Sequence, residues 1–94
     1  MKQSRLVAGA FVIAGSRRTL RVEPEYWDAM AEICAREGIR CKELLRRIDG
    51  QARGSSTLAS AVRVYVIDYF RNAATEEGHK QARHGAGRPF LHIV

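Results

Sequence analysis

Hydrophobic and polar residues alternate along residues 19–22, directly after the polar residues 16–18, and this pattern predicts a short β-strand over residues 16–22. Leu20 and Val22 lie on one face of the strand. The opposite face carries three polar side chains: Arg17, Thr19 and Arg21. Pro24 lies two residues after Val22. Proline suits the first turn of a helix, and it has no backbone N–H to donate to a neighbouring strand. We therefore expect the strand to end before Pro24.

A strand on its own leaves backbone donors and acceptors unpaired, and no strand of similar quality lies downstream. The simplest partner is the same strand in a second copy of the chain, paired antiparallel about a two-fold axis. Such a ribbon would bury Leu20 and Val22 of both chains and display both sets of polar side chains on one exposed face. The pattern therefore predicts a homodimer with a two-stranded intersubunit ribbon.

Residues 1–15 form an N-terminal arm with a basic start and an apolar run. The run resembles a secretory signal peptide, but it is short, and cleavage would fall just before the arginine-rich strand. We expect instead that residues 11–13 are a second short extended piece that packs on the body or widens the ribbon. Gly15 and Ser16 would form the bend between the two.

The first predicted helix runs from about residue 24 or 25 to Glu37, and Gly38 offers a left-handed cap. Its apolar residues recur at helical spacing and predict a core-facing stripe. The stripe consists of Tyr26, Trp27, Met30, Ile33 and Cys34.

The second predicted helix is short, from about Cys41 to Asp49, and we expect Gly50 to end it. Arg40 at the cap cannot supply the usual side-chain acceptor, and Lys42 in the first turn opposes the helix dipole. A bound anion such as a DNA phosphate would satisfy both. A solvated, slightly frayed helix start explains the sequence equally well.

The third predicted helix begins after Ser55, Ser56 or Thr57 and runs to about Thr75, with Gly78 as a stop. It is apolar on most sides, which indicates burial on more than one face and again favours a dimer. Its strongest face consists of Leu58, Ala59, Val62, Val66, Tyr69 and Phe70, widened by Tyr65 and Ile67.

These elements divide the chain into the arm (1–15), a domain (16–76) and a C-terminal tail (77–94). The glycine-rich middle of the tail predicts a flexible linker, and its apolar end at residues 90–94 offers a docking segment for a partner chain. His79, His84 and His92 lack metal-ligand spacing, and we assign them no chemistry.

The net charge of +6 and the pI near 10.0 favour an acidic partner, with nucleic acid first and an anionic membrane surface second. Residues 1–22 contain five basic residues and no acid, so the excess lies on the arm and the strand. No stretch approaches the length needed to span a bilayer.

Cys34 and Cys41 are separated by six residues, which is not the spacing of a zinc knuckle, and no second pair exists. We read them as reduced thiols in a cytoplasmic protein and expect no metal or cofactor. Ser60 has no His or acidic residue at motif spacing, and no phosphate-binding loop is present. We therefore nominate no catalytic residue and do not expect an enzyme.

Four motifs follow one another along the chain: Phe11-Val12-Ile13-Ala14-Gly15, Arg21-Val22-Glu23-Pro24, Tyr26-Trp27 and Leu58-Ala59-Ser60-Ala61-Val62-Arg63-Val64-Tyr65-Val66. They cover roughly residues 11–72. In this order they resemble the ribbon-helix-helix family of DNA-binding dimers, which includes the Arc and MetJ repressors. The resemblance is closest to a bacterial subfamily with a third helix.

The resemblance implies a mainly α-helical, intertwined homodimer whose ribbon enters the major groove of double-stranded DNA. The side chains that would read the bases are those of Arg17, Thr19 and Arg21. The start of the second helix, at Arg40, Cys41 and Lys42, would contact the DNA phosphates. Arg suits a bidentate bond to guanine, and Thr can donate, accept or touch a thymine methyl group. The expected dimer core consists of Leu20, Val22, Trp27, Met30, Leu45, Ile48, Val62 and Val66.

Two residues depart from the family pattern. Arg40 stands where Ser or Thr is frequent at the cap of the second helix, so the phosphate contact would use side-chain charge. Arg18 falls on the core-facing side of the strand, from which its long stem can reach the edge.

The sequence thus predicts a cytoplasmic, homodimeric, sequence-specific DNA-binding repressor that forms either a dimer or a higher assembly on DNA. The alternative is a protein-interaction module, similar to an antitoxin, whose third helix or tail docks a protein partner.

Overall fold

The computed structural model describes residues 5–52 and 57–82, with side chains described as far as residue 76. Two strands and three helices follow one another along the chain: β1 (Val7–Ile13), β2 (Ser16–Val22), α1 (Pro24–Glu37), α2 (Cys41–Ala52) and α3 (Leu58–Ala82). The predicted fold class is confirmed, since a two-stranded antiparallel ribbon precedes three helices and most of the described chain is helical.

Both strands of the ribbon belong to the same chain. β1 pairs antiparallel with β2, with Val7 opposite Val22 and Ile13 opposite Ser16. Ala14 and Gly15, with φ angles of 52° and 81°, form the turn between them. Positive φ at both central residues is typical of the tight turn that matches the twist of a hairpin.

The sequence predicted that β2 pairs with the same strand of a second copy, whereas in this structure the strand beside β2 is β1 of the same chain. The extended piece expected at residues 11–13 does widen the ribbon, but it begins earlier, at Val7, and the bend lies one residue before the predicted position. β1 was predicted too short because the outward positions of this strand include Ala8 and Ala10. Hydrophobic and polar residues therefore barely alternate there. The homodimer itself stays a prediction.

The inner face of the ribbon forms one side of the core. Leu20 and Val22 are completely buried, as the alternation predicted. Trp27 of α1 holds β1 in place: its Nε1–H donates to the Val7 carbonyl at 2.9 Å, and its ring stacks on Phe11 with centroids 6.0 Å apart. A Cβ on Gly9 would lie 2.8 Å from the Trp27 ring, so this close approach requires glycine.

α1 has the bounds that the sequence predicted. Pro24 occupies its first turn, and Gly38 ends it with a φ of 69° and an amide that donates to the Cys34 carbonyl at 2.8 Å. Met30 and Ile33 are buried, and the other residues of the predicted stripe are half-buried against the core.

α2 and α3 extend further than predicted. α2 continues through Gly50 to Ala52, and the backbone of α3 continues past Thr75 and Gly78 to Ala82. A glycine lowers helix stability by about 1 kcal/mol, but it ends a helix only where the backbone turns left-handed. At the start of α3, the Thr57 hydroxyl accepts a hydrogen bond from the Ser60 amide at 3.1 Å, which confirms Thr57 as a cap. Ser55 and Ser56 lie outside the described residues.

The core lies between the ribbon and the three helices. Its buried apolar residues are Ile13, Leu20, Val22, Met30, Ile33, Leu44, Leu45, Ile48, Leu58, Val62 and Val66. Seven of the eight residues predicted for the dimer core belong to this set, and Trp27 is half-buried beside it. The chain's own elements therefore already cover these residues, and their contribution to a dimer interface stays a prediction.

One chain does not cover every side of α3. Val64 and Ile67 keep 58% and 47% of their surface exposed, although Leu58, Val62 and Val66 of the same helix are buried. A groove of about 470 Å³ lies between α2 and α3 beside Val64, with Ile48 and Tyr65 among its lining residues.

Within the described part of the chain, no helix is long and apolar enough to cross a membrane. The apolar end of the tail, residues 90–94, lies outside the described residues.

Candidate nucleic-acid interface

The outward face of the ribbon combines residues from both strands. Directly opposite residues of antiparallel strands point to the same side. The register pairs Arg17 with Val12, Thr19 with Ala10, and Arg21 with Ala8, and all six residues are exposed. We call these six residues the outward face.

The three polar side chains of the outward face are not engaged by the protein. Arg17, Thr19 and Arg21 form no hydrogen bond or ion pair with any residue that the structure describes. Their donors and acceptors are therefore free to bind a ligand. The sequence predicted that these residues share one side of the strand, and the pairing register and the burial of Leu20 and Val22 agree with it.

Arg18 points in the opposite direction. Its guanidinium donates to the Asp49 carboxylate of α2 at 3.0 Å, and the side chain is about one third exposed. The long stem thus carries the charge from the core-facing side of β2 to the edge, as expected. The ion pair ties the ribbon to α2, and the sequence alone gave no sign of Asp49 as the partner.

The second edge of β2 is open. β1 occupies one edge, and the sheet contains no third strand among residues 5–52 and 57–82. No other backbone hydrogen bond in this part of the chain involves β2. Its outer edge therefore presents unpaired backbone donors and acceptors, which are a template for pairing with another strand.

The start of α2 carries unpaired positive charge. Arg40 is the cap residue, since its carbonyl accepts from the Leu44 amide at 3.1 Å. Arg40 and Lys42 are exposed and form no ion pair with a described residue. The structure thus places these two charges at the helix end, where free N–H groups favour an anion.

Cys41 contributes no charge to this helix start. The side chain is half-buried, and burial, with a smaller effect of the nearby Cys34, raises the pKa of its thiol. Because the thiol is neutral near pH 7, any contact of Cys41 with an anion would come from its backbone amide.

Glu43 is the acidic residue in the first turn of α2, and two arginines neutralise it. Arg46 and Arg47 donate to its carboxylate at 2.9 and 3.2 Å, and these hydrogen bonds lower the pKa of Glu43. The local charge at this end of α2 is therefore positive. Sequence reasoning missed Arg46, although its spacing of three residues from Glu43 indicates such a pair.

The junction between β2 and α1 is fixed by α3. Arg63 donates to the Glu23 carboxylate at 2.9 Å, and its guanidinium lies 5.8 Å from the centre of the Tyr26 ring. The Glu23 backbone amide and then Arg63 lower the pKa of this carboxyl group. The ion pair between Arg63 and Glu23 fixes the C-terminal end of β2, next to Arg21.

Sequence reasoning missed the contribution of β1 to the outward face. Ala8, Ala10 and Val12 alternate with residues that face the core, but their side chains are small or apolar and give no polar signal. The structure places the outward face on the ribbon and the Arg40–Lys42 segment on α2, so the predicted site residues occupy two separate elements.

A comparison with protein families agrees with this architecture. The sequence profile of a ribbon-helix-helix domain matches residues 7–70, about two thirds of the chain. Searches of curated proteins and of solved structures found no significant match. Ribbon-helix-helix domains in general form dimers and bind DNA. The match begins at the first residue of β1 and covers the ribbon, α1, α2 and the first half of α3, and on this evidence the chain belongs to the ribbon-helix-helix family.

Proposed function

We propose that the protein is a homodimeric, sequence-specific DNA-binding regulator that acts as a transcriptional repressor in the cytoplasm. The observation that carries the proposal is the row of unengaged side chains on β2, Arg17, Thr19 and Arg21. They stand on a ribbon whose inner face is anchored in the core.

The chemistry of this row suits the major groove. A two-stranded β-ribbon fits the groove, and its outward side chains then meet the base edges. Arg17 and Arg21 can each donate two hydrogen bonds to guanine O6 and N7, and Thr19 between them can bond a base or contact a thymine methyl group. Arg17 and Arg21 are four positions apart on one strand, which is about 13 Å, so they would read bases several base pairs apart.

The dimer would form through the open edge of β2. In the proposed complex this edge pairs antiparallel with β2 of a second copy, so that the two rows of readers lie side by side. The pairing satisfies the backbone groups that one chain leaves free at this edge. It also gives the protein a two-fold axis, which would match a palindromic DNA site.

The start of α2 would hold the DNA backbone. Arg40 and Lys42 supply charge, and the free N–H groups of the first turn, including that of Cys41, supply directional donors. Contacts of this kind position a protein on the duplex without reading its sequence.

Two substitutions test the separate roles of the ribbon and α2. Arg21→Ala removes a base contact, so we expect a loss of about 1–3 kcal/mol on the preferred duplex and a relaxed base preference. Lys42→Ala removes a phosphate contact, so it should weaken binding to all duplexes alike and reduce the salt dependence. The measurement is the dissociation constant at fixed salt on a duplex selected from a randomised pool and on mismatched duplexes.

Arg71→Ala is the charge-matched control, because Arg71 is exposed on α3 and no described residue engages its guanidinium. It should leave the affinity nearly unchanged. If Arg21→Ala altered neither affinity nor base preference, β2 would not be the reader and the proposal would be wrong.

The groove between α2 and α3 favours a second candidate function, a protein-interaction module similar to an antitoxin. Val64 is exposed beside this groove and offers an apolar anchor. Deleting residues 79–94 and, separately, substituting Val64→Lys distinguishes the two functions. Under the DNA-binding proposal both variants keep their affinity for DNA, whereas an interaction module would lose its protein partner.

A further inference from the structure

The inner face of β1, opposite the outward face, packs on the rest of the domain. Phe11 stacks on Trp27, the Trp27 Nε1–H binds the Val7 carbonyl, and Ile13 is 3% exposed. Gly9 lies directly under the same indole ring. These contacts hold β1 beside β2, and pairing at the opposite edge of β2 does not require any of them to break.

A dimer joined through β2 is then a four-stranded sheet rather than a two-stranded ribbon. Its order is β1, β2, β2 of the partner and β1 of the partner. Neighbouring strands are about 4.8 Å apart, so the backbones of the two outer strands are roughly 14 Å apart. The major groove is only about 12 Å wide. The two β2 strands fit between the groove walls, and the two β1 strands do not.

The outer strands would consequently lie over the DNA backbones that border the groove. The outward residues of β1 are suited to that place, because Ala8 and Ala10 are small and uncharged and let the sheet approach the phosphates. Any acidic side chain at these positions would stand against the phosphates. The described part of β1 carries no acidic residue at all.

We propose that β1 is a second DNA-contacting element, with Ala8 and Ala10 lying against the phosphodiester backbones on either side of the groove that β2 reads. This inference rests on the proposed function. It assigns β1 to backbone contact and β2 to base readout, so substitutions in the two strands should have different consequences.

A pair of opposite charges at one position tests the assignment. Ala10→Lys should strengthen binding, by roughly ten-fold at moderate salt, on both the selected duplex and a scrambled duplex of the same length. It should also steepen the dependence of log K on log salt by roughly two units per dimer, one for each new phosphate contact. Ala10→Glu should weaken binding to both duplexes by a similar factor. Base preference should stay unchanged in both variants.

Ala31→Lys and Ala31→Glu are matched controls, because Ala31 is an exposed alanine on α1 and the change in net charge is the same. We expect these controls to change affinity by less than about three-fold, through the long-range field alone. Thermal unfolding of all four variants checks that each one folds.

The outcomes separate the two proposals. If the unsubstituted protein bound no duplex, both the proposed function and the role of β1 would be wrong. If it bound and the Ala10 variants matched the Ala31 controls, β1 would lie away from the DNA and only this inference would be overturned. A changed base preference in either Ala10 variant would place β1 inside the groove and overturn it as well.

Discussion

Ala14 has a φ of 52°, in the left-handed region that residues other than glycine rarely adopt. Asparagine tolerates this conformation better than alanine, because its short side chain bonds to the nearby backbone. Ala14 and Gly15 are the two central residues of the hairpin turn, where Asn-Gly is the preferred pair. The turn thus carries strain at one residue, and the hairpin forms despite it.

Relieving that strain should stabilise the protein. We expect Ala14→Asn to raise the free energy of unfolding by roughly 1 kcal/mol, and Ala14→Val to lower it, because a β-branched side chain is disfavoured at positive φ. Urea unfolding of the three proteins measures both changes. Equal stability of all three would mean that residues 14 and 15 do not form this turn.

At the scale of single residues, sequence reasoning succeeded where a side chain's surroundings follow from its neighbours in sequence. Alternation placed Arg18 on the inner side of β2 and Arg21 on the outer side, and the structure agrees for both. The Asp49 partner of Arg18 and the Trp27 contact with Gly9 are 31 and 18 positions away and depend on how the elements pack. Local sequence patterns do not predict contacts between residues that are so far apart in the sequence.

At the scale of elements, Glu23 connects β2 to α1 and receives Arg63 from α3. The pKa of its carboxyl group is lowered from the ordinary 4.5, first by its own backbone amide and then by the Arg63 side chain. A carboxyl group with a lowered folded-state pKa stabilises the fold above its unfolded-state pKa. That stabilisation is lost as the pH falls through the folded-state value.

Glu23→Gln should therefore destabilise the protein near pH 7, and the difference from the unsubstituted protein should shrink as the pH falls below 4.5 and vanish below the lowered folded-state pKa. Chemical unfolding at a series of pH values measures this difference. Asp28 is exposed on α1 and has no ion-pair partner among the described residues, so Asp28→Asn is the control and should show no such trend. A difference that persisted in acid would show that the ionised Glu23 carboxylate is not what stabilises this junction.

Element boundaries could be predicted where a residue has a distinct local chemistry. Pro24 and Gly38 bound α1, and Thr57 precedes α3 as a side-chain cap. The predicted C-terminal ends of α2 and α3 were wrong because Gly50 and Gly78 were taken to end these helices. Packing of buried residues such as Leu45 and Ile48 holds α2 together, and a single glycine does not outweigh it.

At the scale of the whole molecule, the ribbon is complete within one chain, so the need for a second strand no longer requires a dimer. Two features still favour one. The outer edge of β2 is open, and Ile67 of α3 is exposed although it lies outside the groove between α2 and α3. Only the polar half of the outward face, on β2, could be predicted from the sequence, whereas β1 was hidden by its small side chains and by a turn without the usual Asn-Gly signal.

The solution mass gives a first test of the assembly. We expect twice the chain mass of 10.5 kDa at micromolar concentration, because pairing of two β2 edges adds a continuous ladder of backbone hydrogen bonds. Sedimentation or light scattering measures it. A mass of one chain at every accessible concentration would rule out the dimer.

Pairing of β2 with β2 of a second copy is the central claim, and a cross-link tests it most directly. Thr19 is the middle residue of β2, so in an antiparallel pair centred on the two-fold axis each Thr19 lies opposite its counterpart at disulfide distance. In a background with Cys34→Ala and Cys41→Ala, Thr19→Cys should form a covalent dimer on mild oxidation. Ala10→Cys, opposite Thr19 in β1 of the same chain, should remain monomeric because a pair of outer strands is too far apart. A covalent dimer from Ala10→Cys and none from Thr19→Cys would contradict the account.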